Sequence, residues 1–342
     1  MSVEKSFFTR DTNITAKVIC DSISEQGIRL TTFEVEAPRI ILAEINTHNA
    51  ISKNCSSTRA ITLAKAIEQI EQNGFEPLYW GKKQSGMTAE QEVEGIDRYD
   101  AIDQWNWTKR RMINSVKFLD ELQVHKQIAG RLLEPFQMVK QVLTATDLDN
   151  FFNLRIHPTA QPEILMLAYK MYKALQESVP NLLKVGEWHL PYVKFDRDNE
   201  GNAMYLPFDE DHVEGWIEYS LEQAQRISAS CCAQTSYRNT DDSLCKADDV
   251  FNKLIKADVL HSSPMEHQAT PVKERGTELD SINDNVLINH IPPSTWEEGV
   301  THMNRQGQLC SGNLRGWVQY RHLLPNNTNW KFDFEERMEL FK

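Results

Sequence analysis

The sequence predicts an α+β fold, because strand patterns and helix patterns both occur but do not alternate regularly. The strand pattern lies in residues 16–45. Thr31, Phe33 and Val35 repeat at every second position, which is typical of a strand with one buried face. The apolar run at residues 40–42 predicts another strand, separated from the first at Pro38.

The helix pattern appears in four segments of the first half. Apolar residues at helical spacing predict a short helix over residues 63–73 that ends at Gly74. A Thr88–Gln91 capping box predicts the start of a long helix over residues 89–122. Residues 131–155 are also expected to be mainly helical, and Pro162 opens a further amphipathic helix.

The composition changes at about residue 186, where turn formers and aromatic residues suggest a hairpin or a linker. We therefore expect two segments, residues 1–185 and residues 186–342. Further helices are expected around residues 216–233 and 247–260, followed by a polar loop over residues 272–310.

The overall composition limits the function classes. The chain has 342 residues and carries 37 basic and 49 acidic side chains, a net charge of -12, which argues against broad contact with nucleic acid. No apolar run is long enough to span a bilayer, and the N-terminal residues lack a signal-peptide core, so we expect a cytoplasmic protein that contacts no membrane. The six cysteines show neither zinc-ribbon nor disulfide spacing.

A run of hydroxyl groups and one cation, Ser57, Thr58 and Arg59, precedes the helix at residues 63–73. Such a run suits a phosphate dianion, because hydroxyls, helix-start N–H groups and a guanidinium all donate hydrogen bonds. Ordinary N-capping of the helix explains the same pattern and is the more common case. Cys55, within this polar stretch, is an alternative nucleophile, although a lone cysteine without an assigned base is more often inert.

Two arginines, Arg131 and Arg155, lie in apolar segments and each needs an anionic partner, either a local carboxylate or a ligand. In HSSPMEH, Ser263 with Glu266 predicts a capping box, and the spacing of its histidines and glutamate matches no common zinc signature, so no metal is expected. RGWVQYRHLLP either lines a planar ligand or packs its aromatic residues in the core.

Taken together, these segments resemble the flavin-dependent thymidylate synthases. The family carries the string R-H-R-x-x-S-x-N-E-x-S-x-R, and THNAISKNCSSTR keeps five of its residues in register: His48, Ser52, Asn54, Ser57 and Arg59. It departs from the string at three positions: Thr47, Asn49 and Cys55. AGRLLEP, TATDLDNFFNLR and TAQPEI resemble the later motifs and match at Arg131, Asn150, Arg155, Ala160, Gln161 and Glu163. Pro162 occupies the position of a tryptophan in the family motif. The spacing between the first two motif blocks is about one helical turn shorter than in the family.

The second half resembles motifs that come first in the family. HSSPMEH matches the flavin motif H-x-S-P-F-E-H except at Met265, CAQTSYR resembles the A-R-V-S-Y strand, and WVQYRHLLPNN resembles the Q-W-x-R-H-R region. The resemblance therefore implies a thymidylate synthase-complementing-protein-like fold, an antiparallel sheet flanked by long helices, duplicated or permuted as two pseudo-symmetric halves.

The resemblance implies a function as well: transfer of a one-carbon unit from methylenetetrahydrofolate to C5 of dUMP, with FAD and NADPH, in a homo-oligomer (a dimer of duplicated chains or a tetramer). The implied substrate-binding residues are Ser57, Thr58, Arg59, Arg131, Arg155 and Gln161. The implied cofactor-binding residues are His48, Asn49, Asn54, Asn150, Ser236, Ser263, Glu266, Arg321 and His322. Arg155 and Arg321 are the implied catalytic residues. Two alternatives remain open: a pyrimidine nucleotide hydroxymethylase on the same scaffold, or a non-catalytic nucleotide- or flavin-binding relative.

Overall fold

The computed structural model describes residues 5–208, 217–235, 240–255, 260–273, 277–282, 285–290, 292–328 and 332–341. The α-helices are α1 (Leu42–Asn46), α2 (Leu63–Asn73), α3 (Gly95–Glu121), α4 (Lys126–Ala129), α5 (Asp149–Arg155), α6 (Pro162–Glu177), α7 (Leu221–Ala233), α8 (Leu244–Ile255) and α9 (Phe334–Met338). Short 3-10 helices lie at Lys5–Thr9, Arg39–Ile41, Gly130–Phe136, Ser263–Glu266, Pro293–Thr295, Tyr320–Leu323 and Glu339–Phe341. No described helix has both the length and the apolar character needed to cross a membrane.

The strands of the first half form one five-stranded sheet. They are β1 (Thr15–Ser24), β2 (Arg29–Pro38), β3 (Ser52–Cys55), β4 (Met138–Ala145) and β5 (Asn181–Leu183). Their order is β3-β4-β2-β1-β5, and every pair is antiparallel except β1 with β5. The β1–β2 connection turns at Gly27, whose positive φ of 79° favours glycine.

The remaining strands form smaller sheets. They are β6 (Val193–Arg197), β7 (Ala203–Pro207), β8 (Ala269–Pro271), β9 (Thr277–Ile282), β10 (Asn285–His290), β11 (His302–Met303), β12 (Leu309–Ser311), β13 (Leu314–Arg315) and β14 (Trp317–Gln319). They pair as β6–β7, β9–β10, β8–β14 and β11–β12–β13. The hairpin expected after residue 186 is therefore present as β6–β7.

Helices cover both faces of the five-stranded sheet. On one face, Phe33 and Val35 of β2 pack with α6 residues that include Ile164. On the other face, Ile19 and Val142 pack with Trp188 and with α7. A third cluster joins α2, α3 and the 3-10 helix Gly130–Phe136. Since strands and helices are mixed in this way, the α+β class is confirmed.

Three secondary-structure predictions in the first half are wrong, and the polar loop expected over residues 272–310 contains strands β9 to β12. Residues 138–145 form β4 next to β2, not a helix; Val139, Val142 and Leu143 are all buried, so both strand faces are covered and no alternation is visible. The long helix α3 begins at Gly95 rather than at residue 89, because Gly81 and Glu92 form a β-bridge before it. The run at residues 40–42 is not a strand, since the ladder ends at Pro38 and the chain enters a 3-10 turn followed by α1.

The helix predictions on either side of these segments are confirmed. α2 spans Leu63–Asn73 and ends at Gly74, and α6 begins at Pro162. The pseudo-symmetric duplication is not confirmed, because the described residues beyond 185 contain two- and three-stranded sheets and no second five-stranded sheet. The two segments also pack together, as when Trp317 Nε1 donates to Ile28 O at 3.2 Å. A division at residue 186 remains a prediction.

Candidate functional site

The edge strand β3 meets the second half of the chain at a set of side-chain amides and hydroxyls. Gln319 Nε2 donates to Glu266 O at 2.8 Å and to Ser52 Oγ at 3.3 Å. Ser52 Oγ donates to Asn313 Oδ1 at 3.0 Å, and Asn54 Nδ2 donates to Cys232 O at 3.1 Å. These bonds join β3, which contains the implied cofactor residue Asn54, to the segment of the second half that contains Glu266.

Ionisable side chains lie beside these amides, and we call His48, Lys53, Glu266 and Arg321, together with Gln319, the junction cluster. The Glu266 carboxylate pairs with Arg321, whose buried Nε has no hydrogen-bond partner among the described residues. Lys53 Nζ donates to His48 O at 2.6 Å. Burial lowers the pKa of Lys53, and the nearby Glu266 carboxylate opposes that shift. The cluster thus combines cations, one carboxylate and one unpartnered donor.

Arg155 fixes the loop that leads into this cluster. Its Nε donates to His48 Nε2 at 2.8 Å, and its Nη2 donates to Thr47 Oγ1 at 3.3 Å. Burial, with Arg155 and Lys53 nearby, lowers the pKa of His48, which suits a neutral ring that accepts this bond. Arg155 therefore holds the segment that contains Thr47, where the family has an arginine.

A separate pocket of about 270 Å³ lies between α2 and the start of β4; we call it the β4–α2 pocket. Its hydroxyls come from Ser56, Ser57, Thr58 and, from the second half, Thr235. Its ionisable side chains are Glu36, Arg39 and Lys140, and its amides are Gln69, Gln72, Asn73 and Gln137. Cations, hydroxyls and amides together suit a ligand with an anionic end and a polar, neutral end.

The ionisable groups of this pocket are held by neighbours. Lys140 Nζ lies 2.7 Å from Glu34 Oε2, and Arg39 Nε lies 3.4 Å from Glu134 Oε1. Burial raises the pKa of Glu36, although Lys140 and the amide of Asn73 act in the opposite direction. Both cations therefore keep fixed positions at the wall of the pocket.

Ser57 and Thr58 do not cap α2, so the N-capping explanation is wrong for them. The cap is Thr62, whose side chain accepts from Lys65 N at 3.3 Å. Ser57 and Thr58 instead line the β4–α2 pocket, where Ser57 Oγ also accepts from Arg59 N at 3.3 Å. The hydroxyl run detected in the sequence thus faces a cavity.

Several residues that the resemblance implies for ligand binding lie in neither the β4–α2 pocket nor the junction cluster of the same chain. Arg131 pairs with Glu134 at 2.7 Å and lines an apolar groove beside Trp80 and Trp105, so a local carboxylate is its partner. Gln161 donates to Glu163 at 3.1 Å. The exposed members of the set are Arg59, Asn49, Asn150 and Ser263, while His322 is half-buried beside Arg321. Ser236 lies outside the described residues.

The predicted capping box in HSSPMEH is not formed. The 3-10 helix starts at Ser263, and the residue before it, Ser262, makes no side-chain cap bond. The aromatic residues of RGWVQYRHLLP pack in the interior: Trp317 is fully buried, and Tyr320 lies 5.5 Å from Trp188 between ring centroids. Arg315 pairs with Asp147 at 2.8 Å.

A buried polar chain crosses the sheet, and the sequence contains no specific signal for it beyond the last histidine of HSSPMEH. His267 Nδ1 lies 2.8 Å from Thr144 Oγ1, which lies 2.7 Å from Thr32 Oγ1. Thr32 Oγ1 lies 2.8 Å from His189 Nε2, and His189 Nδ1 lies 2.9 Å from Ser22 Oγ. Burial lowers the pKa of both histidines to about 3, so both rings are neutral near pH 7.

Nucleophilic and metal chemistry have little support. Burial raises the pKa of the Cys55 thiol, which disfavours the reactive thiolate. Across the described part of the chain, no group of three or more histidine, cysteine, aspartate or glutamate side chains is arranged to hold a metal ion.

Residues 28–181 match the family model of the thymidylate synthase complementing protein. The resemblance to this family is thereby confirmed over that segment, and it supports an enzyme of the thymidylate synthase type. Most of the β4–α2 pocket lies inside the matched segment, whereas Glu266 and Arg321 lie outside it.

Two solved structures are similar to part of the chain. Both are of the UMP/dUMP methylase PolB from Streptomyces cacaoi. The structure with 5-Br dUMP has 17% identity and a TM-score of 0.41, and covers 49% of this chain and 91% of its own. The structure with 5-Br UMP has 15% identity and a TM-score of 0.40, and covers 49% of this chain and 90% of its own. No curated protein sequence matches the chain.

Proposed function

We propose that this protein is an FAD-dependent transferase that adds a one-carbon unit from methylenetetrahydrofolate to C5 of dUMP, with NADPH as reductant. The observation that carries the proposal is the β4–α2 pocket. It lies mostly in the family-matched segment and places the hydroxyls of Ser57 and Thr58 in one cavity with Lys140 and Arg39.

The chemistry of this pocket supports a nucleotide monophosphate. Ammonium, guanidinium and hydroxyl groups donate to phosphate oxygens, and the guanidinium presents several parallel donors. A volume of about 270 Å³ lies near the lower end of the range for small-molecule pockets, roughly 300–1,000 Å³, which favours one mononucleotide over a larger ligand. Arg39 and Lys140 therefore supplement the motif residues Ser57 and Thr58.

The junction cluster supports a place for the flavin. The unpartnered Nε of Arg321 and the ammonium of Lys53 suit acceptor groups of an anionic cofactor. His48, Asn54, Glu266 and Arg321 would hold FAD, which supplies hydride-transfer chemistry when bound. Ser263 and His322, which are close to Glu266 and Arg321 in sequence, stay assigned to FAD by resemblance alone. Arg155 would act on this site by fixing His48.

A homo-oligomer is part of the proposal, either a dimer or a tetramer. Arg59, Asn49, Asn150 and Arg131 are exposed, which supports contact of these side chains with a ligand held between two chains. Ser236 and Gln161 stay assigned by resemblance alone.

One alternative has a specific observation in its favour. Thr47 replaces a family arginine, and its hydroxyl accepts from Arg155 instead of offering a cation to a ligand. Fewer cations at the reacting centre would suit a variant product, such as a hydroxymethylated pyrimidine nucleotide. A non-catalytic relative that only binds the nucleotide or the flavin is a third candidate.

Two assays, flavin absorption spectroscopy and tritium release from labelled dUMP, distinguish the enzyme from the non-catalytic relative. We expect the purified protein, incubated with FAD and freed of excess, to show flavin absorption that NADPH bleaches, and to release tritium from C5-labelled dUMP when folate is added. Product analysis by mass spectrometry then distinguishes methyl from hydroxymethyl. A protein that takes up no FAD and releases no tritium would contradict the enzymatic proposal.

A further inference from the structure

Gln137 stands out among the side chains that line the β4–α2 pocket. It is only 7% exposed, and its Oε1 is buried without a hydrogen-bond partner. Its backbone is fixed on both sides, because Gln137 N donates to Glu134 O at 3.2 Å and Gln137 O accepts from Arg39 N at 2.9 Å. The amide is therefore held at the wall of the cavity with an acceptor that nothing in the described chain satisfies.

Neighbouring polar groups of the pocket already have protein partners. Asn73 Nδ2 donates to Glu36 Oε1 at 3.3 Å, and Lys140 pairs with Glu34. Among the described residues that line this pocket, Gln137 is the one with a buried side-chain atom that has no hydrogen-bond partner, its Oε1. Buried acceptors in native proteins nearly always have a donor, so a donor is expected to come from a ligand.

The type of donor follows from the proposed function, on which this inference rests. Uracil has a single ring N–H that is free in its nucleotide, at N3, and this N–H lies between two carbonyl oxygens. A primary amide matches that edge, since its carbonyl accepts from N3–H while its NH2 group donates to an adjacent carbonyl. We propose that Gln137 reads the N3–H edge of a uracil nucleotide whose phosphate lies toward Lys140 and Arg39.

Gln137 lies outside the segments that resemble the family motifs, and base recognition gives it a role that the resemblance does not imply. The hydroxyls and cations of the pocket recognise the anionic end, which all nucleotides share. Gln137 instead contacts the base, so it affects which nucleotide binds more than whether a phosphate binds. A buried polar group that is left unpaired by the wrong ligand is an effective source of such selectivity.

The test compares two ligands on two proteins by isothermal titration calorimetry. dUMP and its N3-methyl derivative differ in the one N–H that Gln137 is proposed to read. For the wild-type protein we expect about tenfold tighter binding of dUMP than of N3-methyl-dUMP, the value of roughly one hydrogen bond. For Gln137→Leu we expect the two affinities to agree within about twofold.

Controls keep the result independent of folding. Each ratio is measured on one protein preparation, so a reduced folded fraction affects both ligands equally. Gln127→Leu makes the same chemical change at an exposed position of α4 and should keep the wild-type preference. If Gln137→Leu does not fold, Gln137→Met, which keeps the length of the side chain, takes its place.

The outcomes separate this inference from the proposed function. If the wild-type protein binds dUMP but the Gln137 variants keep the preference over N3-methyl-dUMP, the inference is overturned and the proposed function stands. If the wild-type protein binds neither ligand, the proposed function fails together with the inference. Loss of the preference in the Gln137 variants alone supports both.

Discussion

Strand β4 carries polar side chains at both ends, and the two ends differ in how these groups are satisfied. At its end, Thr144 Oγ1 bonds both Thr32 Oγ1 and His267 Nδ1 within a buried polar chain. At its start, Lys140 and the preceding residue Gln137 line a cavity, and Gln137 Oε1 has no partner among the described residues. Mutually satisfied groups stabilise the fold, whereas groups left facing a cavity are available to a ligand. Substitutions at the two ends should therefore affect different measurements.

The largest effect on stability is expected for Thr144→Val. Valine has a similar shape but removes the hydroxyl that bonds both Thr32 and His267, so two buried polar groups lose a partner. We expect the free energy of unfolding, measured by urea denaturation, to fall by about 2–4 kcal/mol. Thr159→Val, at an exposed position, is the matched control and should change it by less than about 0.5 kcal/mol. Equal effects of the two substitutions would contradict the role given to the buried chain.

The second effect concerns pH and tests the neutral state of the two buried histidines. Burial lowers the pKa of His189 and His267 from 6.5 to about 3. The unfolded chain therefore takes up protons below pH 6.5 that the folded protein does not, so stability falls as pH falls from 6.5 toward 3. Between pH 6 and 5 we expect a loss of about 1 kcal/mol for each histidine.

The measurement is urea denaturation at several values between pH 6.5 and 5, above the range in which most carboxylates titrate. His189→Gln should remove its share of the slope, while the exposed His302→Gln should keep the wild-type slope. A flat stability profile over this interval would show that the rings are not held neutral.

The smallest effect on stability is expected at the start of β4. Lys140→Met leaves Glu34 with two other partners, Lys17 at 2.9 Å and the hydroxyl of Tyr192 at 2.7 Å. The free energy of unfolding should therefore fall by less than about 1 kcal/mol. The affinity for dUMP, however, should fall about tenfold, because one charge-assisted contact to phosphate is lost.

Lys17→Met is the matched control. Lys17 pairs with the same Glu34 carboxylate but does not line the pocket. This substitution should leave dUMP affinity unchanged. If both lysine variants lose affinity equally, the effect comes from Glu34 and not from a contact between Lys140 and the ligand.

The sequence was informative where the signal is local. α2 and α6 follow from apolar residues at helical spacing, and Gly74 and Pro162 mark their ends. β4 was missed because a strand with both faces covered shows no two-residue alternation. A buried helix and a buried strand then look alike in sequence.

The site residues also differ in whether local sequence reveals them. Ser57 and Thr58 were detectable because they are adjacent in sequence, but Arg39, Gln137 and Lys140 come from strand ends that only the sheet brings together. The resemblance located Glu266 and Arg321, and their pairing with the first half depends on long-range contacts such as Gln319 with Ser52. Arg131 pairs with Glu134 within the chain, and its contact with a ligand stays a prediction.

Strand β3 lies at one edge of the five-stranded sheet. An uncovered strand edge offers backbone groups for pairing with other chains and promotes aggregation. Residues of the second half, including Asn313 and Gln319, contact Ser52 on this edge strand. A fragment limited to the family-matched segment would lose these contacts, so we expect it to expose the edge of β3 and to aggregate more readily than the whole chain.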